Sequence, residues 1–297
     1  MAQKLPFIAH QSTVADYDFA VRTVTKMRVA RVIASILQAR REPFRTVIRR
    51  GIHWHLDLRE AIDLSIYITG RFQAGVIRQL TQASLSSGDV LDIGANRGAT
   101  VVHLATELPN RRIFAIEPVP ELVKQIELVI RDNPHLGQRV VMVPYFLTDE
   151  LGLVPKQVDA SWNVFSERVE NGITLATAMN LNGVDGLTLD EVVQRYKIAR
   201  VAAIKIDVEG YELNVLRGGL RTLRGSQPLI LMEWQPSLQR LRGLSEHSLV
   251  ETLTSLGYEP YLLTRLKRLR HITWSDLLER FSDGYREIIL KCGEESA

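Results

Sequence analysis

Cys292 is the single cysteine in 297 residues. One thiol excludes an internal disulfide and a thiolate metal cluster, and it fits a reducing cytoplasm, which is the expected location. No run of about 18 apolar residues occurs, the length that a membrane-spanning helix needs. Residues 1–20 have no apolar run behind a basic start, so no secretory leader is expected there. No internal repeat is visible. What is present is ordinary for a globular protein, with 45% hydrophobic and 24% charged residues, and it excludes disorder over the whole length.

Positive charge is scarce outside one segment. Residues 21–50 hold nine Lys or Arg and one acid, Glu42, while the rest holds 28 basic and 33 acidic residues. The net charge of +3 therefore does not describe the body of the molecule, and nucleic acid is not an expected partner. In the same segment Val21, Val24, Val29, Val32, Ile33, Ile36 and Leu37 recur at helical spacing until Pro43. Residues 1–50 thus read as a basic helical extension. Its apolar stripe is expected to pack on the main domain or on a second copy in a homo-oligomer. The competing reading is a weak contact of residues 21–50 with an anionic membrane, which would place the protein at the inner membrane face.

Residues 51–85 read as a lead-in, with an alternating strand over residues 51–58 and a helix over residues 72–83. From residue 86 to residue 297 the pattern becomes strand, helix, strand, helix. Short apolar strands are expected at residues 90–93, 112–116, 140–143, 201–208, 229–232 and 287–291. Helices are expected at residues 100–108, 120–133, 213–223 and 249–256. Such alternation implies a parallel sheet covered on both faces, an α/β fold of the Rossmann-like type. Residues 149–185 have no clear period, and a long irregular insert of this kind is expected to be a functional loop or lid.

The loop from Asp92 through Gly94, Ala95 and Asn96 to Gly98 follows a strand and opens a helix. A glycine turn there brings backbone amides close to a ligand. A dinucleotide fingerprint wants glycine at three positions of this loop, here Gly94, Asn96 and Ala99. A methyltransferase loop wants an acid, then two glycines, here Asp92, Gly94 and Gly98. The Asp92 carboxylate is expected to hold the ammonium of S-adenosylmethionine, directly or through water, and would repel a pyrophosphate. Glu117 ends the next strand and is expected to accept both ribose hydroxyls. Pro118 keeps it extended. Tyr145, Thr148 and Asp149 follow the third strand and are expected near an adenine ring.

Three motifs together resemble the FkbM family of methyltransferases: Asp92–Gly98, then Ile116-Glu117-Pro118, then Ile204-Lys205-Ile206-Asp207-Val208-Glu209-Gly210-Tyr211-Glu212. The segments Leu187–Glu191 and Leu229–Glu233 fit it as well. The resemblance spans roughly residues 51–290 and departs from the pattern at Gln73, where Glu is expected. It implies a class I methyltransferase fold, with a seven-stranded sheet whose last strand is antiparallel. It also implies S-adenosyl-L-methionine as cofactor, and methylation of a hydroxyl on a saccharide or related small-molecule acceptor.

An alcohol is a weak nucleophile, so a base must assist it. Asp207 and Glu209 end the fourth strand, where a period of two would place them on one face with Lys205. Asp207 is the expected base or acceptor contact, Glu209 its companion, and Glu233 a weaker candidate. His53, His55 and Asp57 share a strand face, but they read as its polar side, and no metal is expected. Trp162, in the irregular insert, is expected either to line an acceptor pocket or to anchor the loop. Two other functions compete. A nicotinamide oxidoreductase is disfavoured by Asn96, Ala99 and Asp92, and a docking protein that keeps only the fold is disfavoured by the intact loop and Glu117.

Overall fold

The computed structural model describes residues 28–83, 87–150, 152–161, 163–165, 168–170, 173–175, 177–264, 268–282 and 285–293. It opens with helix α1 over residues 28–36. A hairpin follows, of β1 (Phe44–Arg49) and β2 (Ile52–Asp57). Arg50 and Gly51 form its turn with φ of 52° and 76°, the left-handed pair that a tight hairpin requires. The two strands pair antiparallel across residue 50, so the boundary between a helical extension and a lead-in falls inside one hairpin. The lead-in also holds a helix the sequence reading did not place, α2 (Ala61–Thr69), before α3 (Ala74–Ala83).

The α/β body begins with β3 (Asp89–Ile93), α4 (Ala99–Glu107), β4 (Ile113–Ile116), α5 (Pro120–Arg131), α6 (Pro134–Gly137) and β5 (Val140–Val143). Pro120 starts α5 because its missing amide is not needed in a first turn. Short β6 (Phe146–Leu147) then leads into the insert, which is not structureless. It contains β7 (Gln157–Ser161), β8 (Arg168–Glu170), β9 (Ile173–Leu175) and β10 (Thr177–Asn180), with β10 on β7 and β9 on β8 as antiparallel pairs.

The chain rejoins the body through β11 (Gly186–Leu187), α7 (Leu189–Arg195) and β12 (Val201–Ile206). Thr188 and Glu191 cap α7 reciprocally. One expected helix divides into α8 (Glu212–Arg217) and α9 (Leu220–Ser226). The divide is Gly218-Gly219, where side chains would stand 2.3 Å from the Thr148 carbonyl and 2.5 Å from Leu189. The remainder is β13 (Leu229–Trp234), α10 (Pro236–Leu241), α11 (Glu246–Ser255), β14 (Tyr258–Leu263), β15 (Leu269–His271), α12 (Trp274–Arg280) and β16 (Arg286–Cys292).

Eight strands form the main sheet in the order β15-β14-β16-β13-β12-β3-β4-β5. From β13 to β5 the pairs are parallel. β16 is antiparallel to both β13 and β14, as expected of the last strand. The eighth strand, β15, is a short antiparallel edge that the sequence reading did not include. This is a Rossmann-like sheet with one strand more than the seven expected.

Successive strand residues point to opposite faces. Val90 and Ala115 join a core with the hairpin, α3 and α4, while Leu91 and Phe114 join one with α7, α8 and α11. The N-terminal module therefore covers one face of the sheet. Its anchor is Trp54, 1% exposed, with its ring 5.8 Å from that of His103 on α4. The inner side of α1 and the turn after it pack on this core through Ala30, Ile33, Ala34 and Leu37. Of the expected stripe, Ile33 and Leu37 are therefore covered, Val29, Val32 and Ile36 are exposed, and Val21 and Val24 lie outside the described residues. Among the described residues no helix is long and apolar enough to cross a membrane.

Candidate active site

At the carboxyl end of β3 the chain turns through Gly94, Asn96 and Gly98, with φ of 81°, 49° and 76°. The first glycine is obligatory, since a Cβ at Gly94 would stand 1.9 Å from the Asp207 carbonyl oxygen. The Asp207 amide in turn donates to the Ile93 carbonyl at 3.0 Å. The cofactor loop thus rests directly on the turn that follows β12. Gly98 N-caps α4, so the helix presents its free amides toward the loop.

Glu117 is 3% exposed. Its carboxylate accepts from the Asn96 amide at 2.7 Å and the Val119 amide at 2.9 Å. Burial pushes it up to about 7 against the pull of those amides. Each oxygen keeps an acceptor site beyond its amide, which suits a ribose hydroxyl. Pro118 holds this bend open ahead of α5, whose first turn begins at Pro120.

Asp92 lies inside the sheet. It is 0% exposed, and neither oxygen has a hydrogen-bond partner among the described residues. Its cation is the chain's own Lys205, 3.5 Å away and opposite it in the β12–β3 register. Burial pushes Asp92 up to about 6, opposed by Lys205. Lys205 also donates to Asp207 at 2.9 Å. Burial opposes the charge on Lys205, but Asp207 and Asp92 outweigh it and push the ammonium up.

The Asp207 side chain is 28% exposed. The face-sharing expected of Asp207 and Glu209 fails at Glu209, because β12 ends at Ile206 and Glu209 is left-handed, with φ of 53°. A turn of this kind interrupts the alternation of an extended chain. Glu233, next to last in β13, lies beside Asp207. Burial, then Asp207, Glu209 and Glu212, push Glu233 well up. Gln73, also left-handed at φ 47°, donates to Glu287 at 3.4 Å, and Glu287 pairs in register with Glu233. The N-terminal module therefore reaches the acceptor side of the site.

Tyr145, Thr148 and Asp149 are each engaged within the protein. The Tyr145 hydroxyl accepts from Arg195 at 3.0 Å, and Asp149 accepts from Asn214 at 2.8 Å. Thr148 is buried, with its amide donating to the Leu187 carbonyl. The reason is the β6–β11 pair, which swings these residues toward α7 and α8. His55 binds Asp132 at 2.6 Å, and Arg59 binds Asp57. Among the described residues no group of His, Cys, Asp or Glu fits a metal ion. Trp162 lies outside the described residues. Ala95, 5% exposed, packs behind the loop.

Two arginines that sequence reasoning passed over hold the site together. Arg97, inside the cofactor loop, donates to Asp63 on α2 at 2.9 Å and to Gln125 on α5 at 2.8 Å. Arg242 donates to Asp159 of the insert at 2.6 Å and to the Glu209 carbonyl at 3.4 Å. Asn96 completes the insert's anchorage by donating to the Ala160 carbonyl at 2.7 Å. The departure of residue 97 from a small loop residue was the available signal for the first; the second had none.

Comparison with known proteins places this geometry. The family model described as "Methyltransferase FkbM domain" matches residues 92–260. A hexuronic acid methyltransferase, AglP of Haloferax volcanii, is 26% identical over 157 residues, which is 52% of this chain and 59% of that protein. The match thus spans little more than half of that relative. Among solved structures, an FkbM methyltransferase from Methylobacillus flagellatus aligns with a TM-score of 0.43 and 16% identity, covering 69% of this chain and 43% of that one. An S-adenosylmethionine-dependent O-methyltransferase from Thermotoga maritima aligns with a TM-score of 0.39 and 15% identity, covering 86% and 80%.

Proposed function

Because this chain belongs to the FkbM methyltransferase family and is an S-adenosylmethionine-dependent methyltransferase, we propose that it methylates a hydroxyl of a saccharide or related small molecule. One observation carries this reading. A half-exposed carboxylate, Asp207, is aimed by a buried ammonium at 2.9 Å and stands directly against the cofactor loop. The activity of AglP on a hexuronic acid supports a sugar-like acceptor.

The loop suits the cofactor. Gly94 and Gly98 keep the backbone bare, and Glu117 is fixed by loop amides with lone pairs to spare. Asn96, Glu117 and the amides opening α4 would hold the nucleoside end. When bound, S-adenosylmethionine supplies an electrophilic methyl group on a sulfonium. Asp207 would take the proton from the acceptor's hydroxyl as that oxygen becomes the nucleophile. Lys205 fixes the direction of that carboxylate, and its own charge is balanced by Asp92 behind it. Glu233 lies beside the same carboxylate. Glu209 lines the turn beside it. The insert, tied down by Asn96 and Arg242, screens this end of the sheet from water.

The test is methyl transfer from labelled S-adenosylmethionine to a polar glycan fraction, with the labelled atom located by mass spectrometry. Label on a sugar oxygen supports the reading, and label confined to nitrogen or protein overturns it.

A further inference from the structure

Helix α1 has more apolar surface than the core can cover. At about 100° per residue, its apolar arc runs from Val32 through Ile36, Val29, Ile33 and Leu37 to Ala34. Only one side of that arc packs. Ala34 is 0% exposed, whereas Val29, Val32 and Ile36 are 52%, 59% and 74% exposed. An outward stripe of three branched side chains along one helix is unusual for a water-facing surface.

Charge supplies the second observation. Residues 28–50 carry seven arginines and one acid, and that acid, Glu42, lies 3.6 Å from Arg45. Residues 51–297 carry 27 basic and 31 acidic residues. Arg28 flanks the stripe one turn from Val32, and Arg40 and Arg41 follow the helix. All three are exposed. The molecule is thus mildly acidic apart from one strongly basic edge, and the unpacked apolar stripe lies on that edge. A second copy of this chain would bring an equally basic edge against it, so like charges would meet. An anionic bilayer complements both features.

We propose that the outer stripe of α1, with Arg28, Arg40 and Arg41, docks the protein on an anionic phospholipid surface. The helix would lie in the interface with Val29, Val32 and Ile36 below the headgroups, while its inner side stays on the core. Docking here is also close to the site. Arg31 of the same helix donates to the Val164 carbonyl at 2.9 Å, and Arg40 lies over the Phe165 ring at 4.5 Å. Val164 and Phe165 lie four and five positions along the chain from Ala160, whose carbonyl binds Asn96.

The experiment uses the full chain and vesicles of phosphatidylcholine, with or without phosphatidylglycerol, in a flotation assay. Binding is expected only with phosphatidylglycerol, and it should fall as salt shortens the Debye length. Arg28→Gln with Arg41→Gln should weaken it about thirty-fold, from about 1 kcal/mol for each basic residue near the headgroups. Val32→Ser with Ile36→Ser should abolish it. Both pairs change exposed side chains, so their melting temperatures and binding of S-adenosylhomocysteine should match the parent. Three outcomes overturn the proposal: no flotation of the parent, flotation unchanged by the serine pair, or a concentration-dependent dimer that the serine pair dissolves.

Discussion

Glu117 and Asp207 both follow parallel strands at one edge of the same sheet, yet they are held in opposite ways. Glu117 is 3% exposed and gripped by two backbone amides. Asp207 is more open, with its side chain 28% exposed, and is aimed by the side chain of Lys205. Amides cannot be mutated away, so the cofactor side is fixed by the path of the chain. Side chains can be exchanged singly, so the acceptor side is where one member of a fold can differ from another.

The largest expected effect tests whether the two sides share a wall. Gly94→Ala forces a Cβ onto the Asp207 carbonyl and should cost about 4 kcal/mol or more. That would appear as a collapse of the melting temperature and loss of S-adenosylhomocysteine binding. A stable variant that still binds would mean that the contact yields and the sides are independent.

Next in size is Asp207→Asn, which should lower turnover by about 10²–10⁴, the usual worth of a positioned proton acceptor. Calorimetric affinity for S-adenosylhomocysteine should stay unchanged. If affinity falls along with turnover, the proposed division of labour is wrong.

A smaller effect is expected from the cofactor side alone. Glu117→Ala should weaken S-adenosylhomocysteine by about 1.5–3 kcal/mol, as for a hydrogen bond to a charged group. The same residue sets a pH dependence. Burial lifts Glu117 to about 7 from an ordinary 4.5, so the folded state keeps a proton that the unfolded chain has lost. Its stabilising contribution is full below the ordinary value and is lost as the pH rises through about 7. In thermal melts of the cofactor-free protein, Glu117→Gln should remove a decline seen in the parent between about pH 5 and pH 8. An identical decline in the variant would assign it to other buried acids, such as Glu212.

The smallest effect belongs to a residue outside both halves. Tyr145→Phe loses only the partly exposed bond from Arg195 and should shift stability by under about 0.5 kcal/mol, with no change in cofactor affinity. A loss of affinity would return Tyr145 to the adenine pocket.

The parallel strands and the cofactor loop were legible because their signals are local: runs of buried residues, and glycines at the positions where the chain must turn left-handed. The hairpin strand β1 was not, because its pattern is inverted. Phe44 and Ile48 face solvent at 71% and 57% exposed, while Arg49 turns inward and lies over the Tyr67 ring at 5.0 Å. Lys205 could be placed beside a carboxylate but not between two, since its neighbour Asp92 is set by the register of β12 on β3. The turn after β12 has its glycine at Gly210, with φ of 100°, but nothing local announced that Glu209 before it would be left-handed too. The bonds made by residues 145–149 were not legible, because the pairing that directs them comes from β11, beyond the whole insert.

The place of β16 has a consequence for how the molecule is made. In the sheet it lies between β13 and β14, although both precede it in the chain. Until it emerges from the ribosome, both neighbours have one bare ladder of amides and carbonyls, and β13 exposes the edge of Ile230, Leu231 and Met232. Unpaired apolar edges of this kind invite pairing between chains. Glu233 opens onto the same unfinished edge, across from the position that Glu287 will take. Synthesis therefore leaves the acceptor side of the site to the last strand, and a chaperone that shields residues 229–263 would guard against aggregation and complete the site in the same act.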